Sequence, residues 1–408
     1  MSSIRRRGRA VKLGANSSSS SSSSYLLPAL AFGVPVGIYS LFLGLSAVPF
    51  FQRHFLYAHK INTLLWNDVN KPESWGFAQN QVTPFNLKTA DDQSIYAWHI
   101  LPLPLYGQHE AQLIAQPTGF CEDITQTVNF KLLNEDPTSQ LIVYLHGNAG
   151  HVAQAIRPAS YHALTDTSKF HVLAIDYRGF GHSTGSPTEP GLVLDASAAV
   201  DWAMKVAGVS ADRIVVLGQS LGTAVASGVA ESFAKQGIDF AGVILVAGFS
   251  SLPTMLSGYS IAGWVPVLAP LRASPWLLRQ AMTLVVDKWL SADRLRETVR
   301  TVRGRDGKLN LQLVHAKNDW DIPCHEDDKL FAAAVSGLRE MDDSTLAEEK
   351  ASRTVTRDED SFVATWEEGG VTIRQELYPH GGHNDIMYYA PVSLAVMRAF
   401  GVLDTTDS

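Results

Sequence analysis

Gly218-Gln219-Ser220-Leu221-Gly222 decides how this chain is read. It follows a β-type run, Arg213 to Leu217, and opens a small-residue run, Thr223 to Ala230, suited to a helix. A strand, G-x-S-x-G and a helix in that order are the context of a nucleophile elbow. The turn is so tight that the serine is pushed into strained backbone geometry. Glycine on either side leaves room where a side chain would collide with the neighbouring strand and helix. The expected product is a Ser220 hydroxyl standing clear of a sheet, at a helix N-terminus whose dipole favours negative charge. A glycine-flanked β-to-α turn gives the same local pattern, so the chemistry must be argued from the partners.

Outward from the elbow, strand-like runs recur. Val82 to Thr89 and Gln93 to Leu101 read as an opening hairpin turning at Ala90-Asp91-Asp92. Residues 102–140, with Cys121, read as a surface insertion. Leu141 to Leu145, Phe170 to Ile175, Phe240 to Ala247, Leu309 to His315 and Val371 to Leu377 read as buried strands, and Leu192 to Val206 has helical periodicity. Strands alternating with helices imply an α/β fold: a mostly parallel sheet with helices on both faces and its site at the carboxyl ends of the strands. His146, Asp176, Ser220, Asp319 and His383 all follow strand ends.

A serine hydroxyl is a weak nucleophile near neutral pH. It needs a general base within hydrogen-bond reach and a carboxylate to fix that base. Asp319 or Asp321 can supply the carboxylate, and His380 or His383 the base; spacing alone does not separate them. An oxyanion needs preorganised N–H donors. The amide of Leu221 is one candidate, and that of Asn148, in His146-Gly147-Asn148-Ala149-Gly150, is the other. Asp176 precedes Ser220, and the nearby Arg178 suggests a structural ion pair instead.

Two long segments interrupt the pattern. Residues 250–305, with Trp264, Pro266, Pro270, Pro275 and Trp276, are apolar and broken, as expected of a cap that receives an acyl chain. Residues 336–368 are acidic and poor in apolar residues, as expected of a flexible, irregular insertion.

The N-terminus has a different composition. Residues 1–24 hold Arg5, Arg6, Arg7, Arg9 and Lys12 and then a serine run, and read as a disordered tail. Residues 25–51 carry no charge. Leu26 to Val48 would span about 34 Å as a helix, enough for a bilayer core of about 30 Å. Tyr25 at one end and Phe50, Phe51 and Phe55 at the other suit the interfaces. The reading is an uncleaved transmembrane anchor, followed by a linker over 52–81. Basic residues cluster before the span, which places the tail in the cytosol and the large domain across the membrane. The endoplasmic reticulum lumen is the expected site. The alternative is a mitochondrial membrane, because no acidic residue precedes Asp68 and the start is rich in Arg and Ser.

The net charge of −7 argues against a nucleic-acid-binding body. Two cysteines, Cys121 and Cys324, make neither a disulfide scaffold nor a zinc pattern. No cofactor or metal is expected.

Taken together, His146 to Gly150, Asp176 to Gly185, Gly218 to Thr223, His315 to Pro323 and Gly382 to Asp385 make the chain resemble the α/β-hydrolase-domain family. It is most similar to the membrane-anchored branch with lysophosphatidylserine and monoacylglycerol lipases. The resemblance covers the body from about Leu141 onward, within a domain read as 82–408. It implies Asp319 over Asp321 and His383 over His380. It also implies hydrolysis of a lipid-like carboxylic ester through an acyl-enzyme on Ser220. The two long insertions, 102–140 and 336–368, depart from the compact family pattern. The competing readings are a lipid acyltransferase, hinted at by the spacing of His380 and Asp385, and a catalytically silent membrane scaffold.

Overall fold

The computed structural model describes residues 23–258, 260–261 and 265–403. Within Gln52–Ser408, ten strands form one sheet: β1 (Val82–Lys88), β2 (Ser94–Ile100), β3 (Gln140–Leu145), β4 (Phe170–Ile175), β5 (Ile214–Gln219), β6 (Gly242–Val246), β7 (Leu309–Ala316), β8 (Thr354–Asp358), β9 (Ser361–Glu368) and β10 (Val371–Tyr378). Their order is β1-β2-β4-β3-β5-β6-β7-β10-β9-β8. The run from β4 to β10 is parallel, and antiparallel strands flank it at both ends.

The strand sequences explain the layering. Leu141, Val143 and Leu145 of β3 are buried in one apolar cluster, while Ile142 and Tyr144 are buried in another. Successive side chains of a strand point to opposite faces, so a strand apolar at every position needs cover on both sides. Helices Glu189–Lys205, Leu221–Lys235, Ser291–Gly304 and His325–Leu338 supply one layer, and Arg157–Thr165 and Ala390–Ala399 the other. Each fully buried Leu or Val contributes about 2 kcal/mol. Capping sets where helices begin: the Thr188 hydroxyl accepts from Gly191 N at 3.2 Å, and Pro190 occupies the first turn.

Several segments differ from expectation. Residues 336–368 are not irregular. Asp342 caps helix Asp343–Ser352 through Thr345 N at 2.9 Å, and β8 and β9 extend the sheet edge. Low average hydropathy concealed a period of two: Phe362, Ala364 and Trp366 alternate and pack into the core. Residues 52–81 are not a free linker. Val69 and Phe77 are buried, and Val69 O accepts from the Tyr96 hydroxyl at 3.0 Å and from Trp98 Nε1 at 3.1 Å. Residues 102–140 form helices Leu103–Ile114 and Val128–Asn134, which share a small cluster around Tyr106 and Leu113. Of the expected cap, Ser291–Gly304 is a body helix, packed against Leu221–Lys235 and His325–Leu338. The rest, 252–283, consists of short helices and a two-residue hairpin. Tyr259 and Trp264 lie outside the described residues, as does the basic tail to residue 22. Cys121 and Cys324 are both free thiols.

The N-terminal unit, to Phe51, contains helix Ser23–Ser46. Among the described residues no single helix, the stretch Gly33–Ser46 included, is long and apolar enough to cross a membrane. Joined to Pro49–Tyr57, that stretch makes a bent pair that reaches the required length and composition. The break has a cause: Pro49 lacks an N–H and starts a new helix instead of continuing the old one.

Candidate active site

Ser220 sits between β5 and helix Leu221–Lys235 with φ 53° and ψ −119°. A serine in that region is strained by about 1 kcal/mol or more. The strain is kept because no alternative fits. A Cβ on Gly218 would meet Gly222 O at 2.3 Å, and one on Gly222 would meet Leu145 O at 2.0 Å. Ser220 N donates to Val246 O at 3.0 Å, which ties the turn to β6.

β7 and β10 are parallel neighbours, so the loops after them emerge side by side. One carries Asp319 and the other His383. His383 Nε2 lies 2.9 Å from Ser220 Oγ, and His383 Nδ1 lies 2.8 Å from Asp319 Oδ2. Asp319 can only accept, so the network assigns the proton to Nδ1 and leaves Nε2 to accept from the serine hydroxyl. Asp319 Oδ1 accepts from the backbone amides of Asp321 and Ile322, each at 2.9 Å. Burial raises the Asp319 pKa, but hydrogen bonds from His315 and His383 outweigh it and hold the carboxyl well below the usual range. The alternatives are not part of this hydrogen-bond network by their side chains: Asp321 bonds Asp319 through its backbone amide, and His380 is exposed.

The Asn148 and Leu221 amides, expected as oxyanion donors, have no acceptor among the described residues. The carbonyls of Gly147, Asn148 and Ala149 are all bound by Arg157 Nη2, at 3.0, 3.0 and 2.8 Å. Arg157 therefore fixes the backbone path of this loop, a role that nothing in its sequence position signals. Gln219, the variable residue before Ser220, donates to His383 O at 3.1 Å and Asn384 Oδ1 at 3.2 Å. Asn318 Oδ1 accepts from Gly382 N at 2.8 Å. Both hold the histidine loop in place, and sequence reasoning missed both.

Asp176 departs from expectation. Arg178 pairs with Asp91 and Asp195, not with Asp176. Asp176 is wholly buried with Oδ1 3.5 Å from His146 Nε2; that nitrogen makes no hydrogen bond, while His146 Nδ1 lies 2.6 Å from Gly147 O. Burial pushes its carboxyl up to about 7, with Arg157 opposing.

Ligand atoms of Asp319, Asp321 and His383 lie within 4.8 Å of one another, the set among the described residues that could hold a metal ion. Asp319 and His383 already commit those atoms to each other and to Ser220, as a relay of hydrogen bonds.

The sequence profile of the alpha/beta hydrolase family matches residues 142–395, from β3 to the last helix. The chain belongs to this family. Among curated proteins, this α/β-hydrolase is 34% identical to human Protein ABHD12B over 49% of its own length and 51% of that protein's. It is 27% identical to Lysophosphatidylserine lipase ABHD12 of Xenopus tropicalis, over 72% of its own length and 68% of the relative's. The chain thus spans about half the length of the first relative and about two thirds of the second's. Among solved structures, an alpha-beta hydrolase from Vibrio vulnificus superposes with a TM-score of 0.50 at 15% identity, over 87% of this chain and 92% of that one. That likeness concerns the fold alone.

Proposed function

We propose that this chain is a serine hydrolase of carboxylic esters, with Ser220, His383 and Asp319 as its triad. The observation that carries the reading is His383, which is hydrogen bonded to Ser220 through one nitrogen and to Asp319 through the other. Ser220 Oγ attacks the acyl carbonyl as Nε2 takes its proton. The oxyanion is met by the amides of Leu221 and Asn148. His383 then returns the proton to the leaving alcohol, and water releases the acyl group by the same steps in reverse order.

The substrate class is a lipid ester of lysophospholipid or monoacylglycerol type. The likeness to a lysophosphatidylserine lipase supports it, as does the apolar segment 252–283. Residues 25–51 serve as a membrane anchor, supported by helix Ser23–Ser46 and its uncharged sequence. The catalytic domain then lies on the luminal side of the endoplasmic reticulum, by the excess of basic residues before the span. The domain itself begins near Gln52, because 52–81 pack into it.

A fluorophosphonate labelling gel of membranes bearing wild type or Ser220→Ala, with lipid extracts compared by mass spectrometry, tests this. The expected result is label and lipid turnover in the wild type and neither in the variant. A folded wild type that takes no label sinks the reading.

A further inference from the structure

Behind Asp319 lies a second histidine–carboxylate pair that the triad does not require. His315, in β7, is 1% exposed, with Nε2 3.2 Å from Asp319 Oδ2 and 3.0 Å from Ile322 O. On its other side, Nδ1 lies 3.0 Å from Asp327 Oδ1. Asp327, from helix His325–Leu338, is fully buried, and neither of its oxygens has a hydrogen-bond partner. A carboxylate left unpaired in that setting would cost several kcal/mol. His315 is the one counter-charge it touches among the described residues.

We propose that His315, charged and backed by Asp327, is a positioning residue for the triad. It would extend the line Ser220–His383–Asp319 inward by two further groups, keep Asp319 ionised and hold its Oδ2 toward His383. The inference rests on the hydrolase reading above.

The surroundings support the charge state. Burial pulls the His315 pKa down, but Asp327 and Asp319 facing it push it well above the usual histidine range; burial also pushes the Asp327 carboxyl up, and His315 opposes that rise. The other charged or titratable groups near the pair are Asp328, the Cys324 thiol and Lys317. β10 places Leu377 opposite His315, and Gly248, just past β6, borders Asp327, so neither position brings a charge. Without the imidazolium, the conjugate acid of His383 faces Asp319 with one fewer cation beside it. The protonated form of His383 is then less disfavoured, and the acid limb of kcat/KM moves up. Asp327→Asn acts in the same direction, because a buried His315 stripped of its carboxylate loses its proton.

The test uses the full chain in detergent micelles with 15N-labelled histidine. Wild type should show one imidazole with both nitrogens protonated from pH 5 to 8, assigned to His315 by its loss in His315→Gln. In Asp327→Asn that signal should become neutral. In both variants the His383 titration and the acid limb should move up by about one unit. One unit below the wild-type limb, kcat/KM then falls about tenfold, while the alkaline plateau stays within about twofold and KM is unchanged. The double variant should match the singles, because either change dissolves the same ion pair. A neutral His315 in wild type, or folded variants with an unmoved His383 titration, overturns the proposal. Activity that survives Ser220→Ala would instead strike the hydrolase reading. The NMR titrations of His315 and His383 would still decide the positioning role.

Discussion

Asp319→Asn is the sharpest probe of the site, because the structure dictates how the amide must sit. Asp319 Oδ1 accepts two backbone N–H groups at 2.9 Å each. The asparagine oxygen must take that place, since an NH2 there would leave both amides unpaired, at about 1–3 kcal/mol each. The NH2 then replaces Oδ2 and faces His383 Nδ1 from about the original 2.8 Å. Nδ1 becomes the acceptor, and the ring proton moves to Nε2, beside Ser220 Oγ. That nitrogen can no longer take the serine proton. The barrier should rise by about 4–5.5 kcal/mol, a loss of about 10³–10⁴ in kcat. Stopped-flow release of p-nitrophenol from a short acyl ester measures it, beside Ser220→Ala. Asp321→Asn is the control and should stay within about twofold, because its side chain is not in the relay. A folded Asp319→Asn that keeps kcat within about tenfold of wild type, while Ser220→Ala is dead, would refute the assignment of the acid.

Gly222→Ala should destabilise the domain by on the order of 3 kcal/mol or more, because its Cβ would meet Leu145 O at 2.0 Å and both sides are backbone. Urea unfolding and loss of fluorophosphonate labelling check it together. Asp176→Asn should change how stability depends on pH. The folded carboxyl titrates near 7 and the unfolded one near its ordinary value, so between these the native chain holds a proton that the unfolded chain has released. Stability from this group is full below about pH 4, falls by about 1.4 kcal/mol per unit, and is lost once pH passes through the folded value. The asparagine variant should lack that slope in urea titrations at pH 5, 6 and 7. Tyr57→Phe should cost about 1 kcal/mol, seen as a lower Tm, by removing the hydroxyl that donates to Asp287 Oδ2 at 2.7 Å.

The parts of this molecule visible in its sequence are those where one local rule suffices. Apolar runs gave the central strands, and glycine spacing gave the elbow, because both depend on sterics within a few residues. The choice of Asp319 over Asp321 and of His383 over His380 needed the family resemblance, since all four lie in loops where spacing says nothing about direction. Arg157, Gln219, His315 and Asp327 escaped notice for another reason. Gln219 acts across 164 residues to His383 O, and the other three through buried partners nearer in sequence that only the folded chain brings together. Buried polar pairing has no periodicity to read. Asp176 shows the converse error: proximity to Arg178 in sequence suggested a pair, but the chain leaves β4 at Ile175 and Arg178 finds its partners elsewhere, in Asp195 and Asp91.

The segment after the proposed anchor shows what hydrogen bonding adds to a composition-based reading. Residues 52–63 lie in the stretch that composition reads as a linker. Yet Ala149 N donates to Tyr57 O at 3.2 Å and Gly150 N to Ile61 O at 3.0 Å. Asn148 Nδ2 donates to Leu56 O at 2.8 Å, and Thr63 Oγ1 pairs with His151 Nε2 at 2.9 Å. The same strap reaches the apolar segment, through Gln52 to Leu284 O and Val286 N and through Tyr57 to Asp287. The loop that holds Asn148 thus gets its carbonyl partners from Arg157, inside the domain, and part of its N–H partners from the strap. Its backbone path depends on both. Strand patterning accounts for the sheet without residues 52–63, but the loop that carries Asn148 gets these partners only with them.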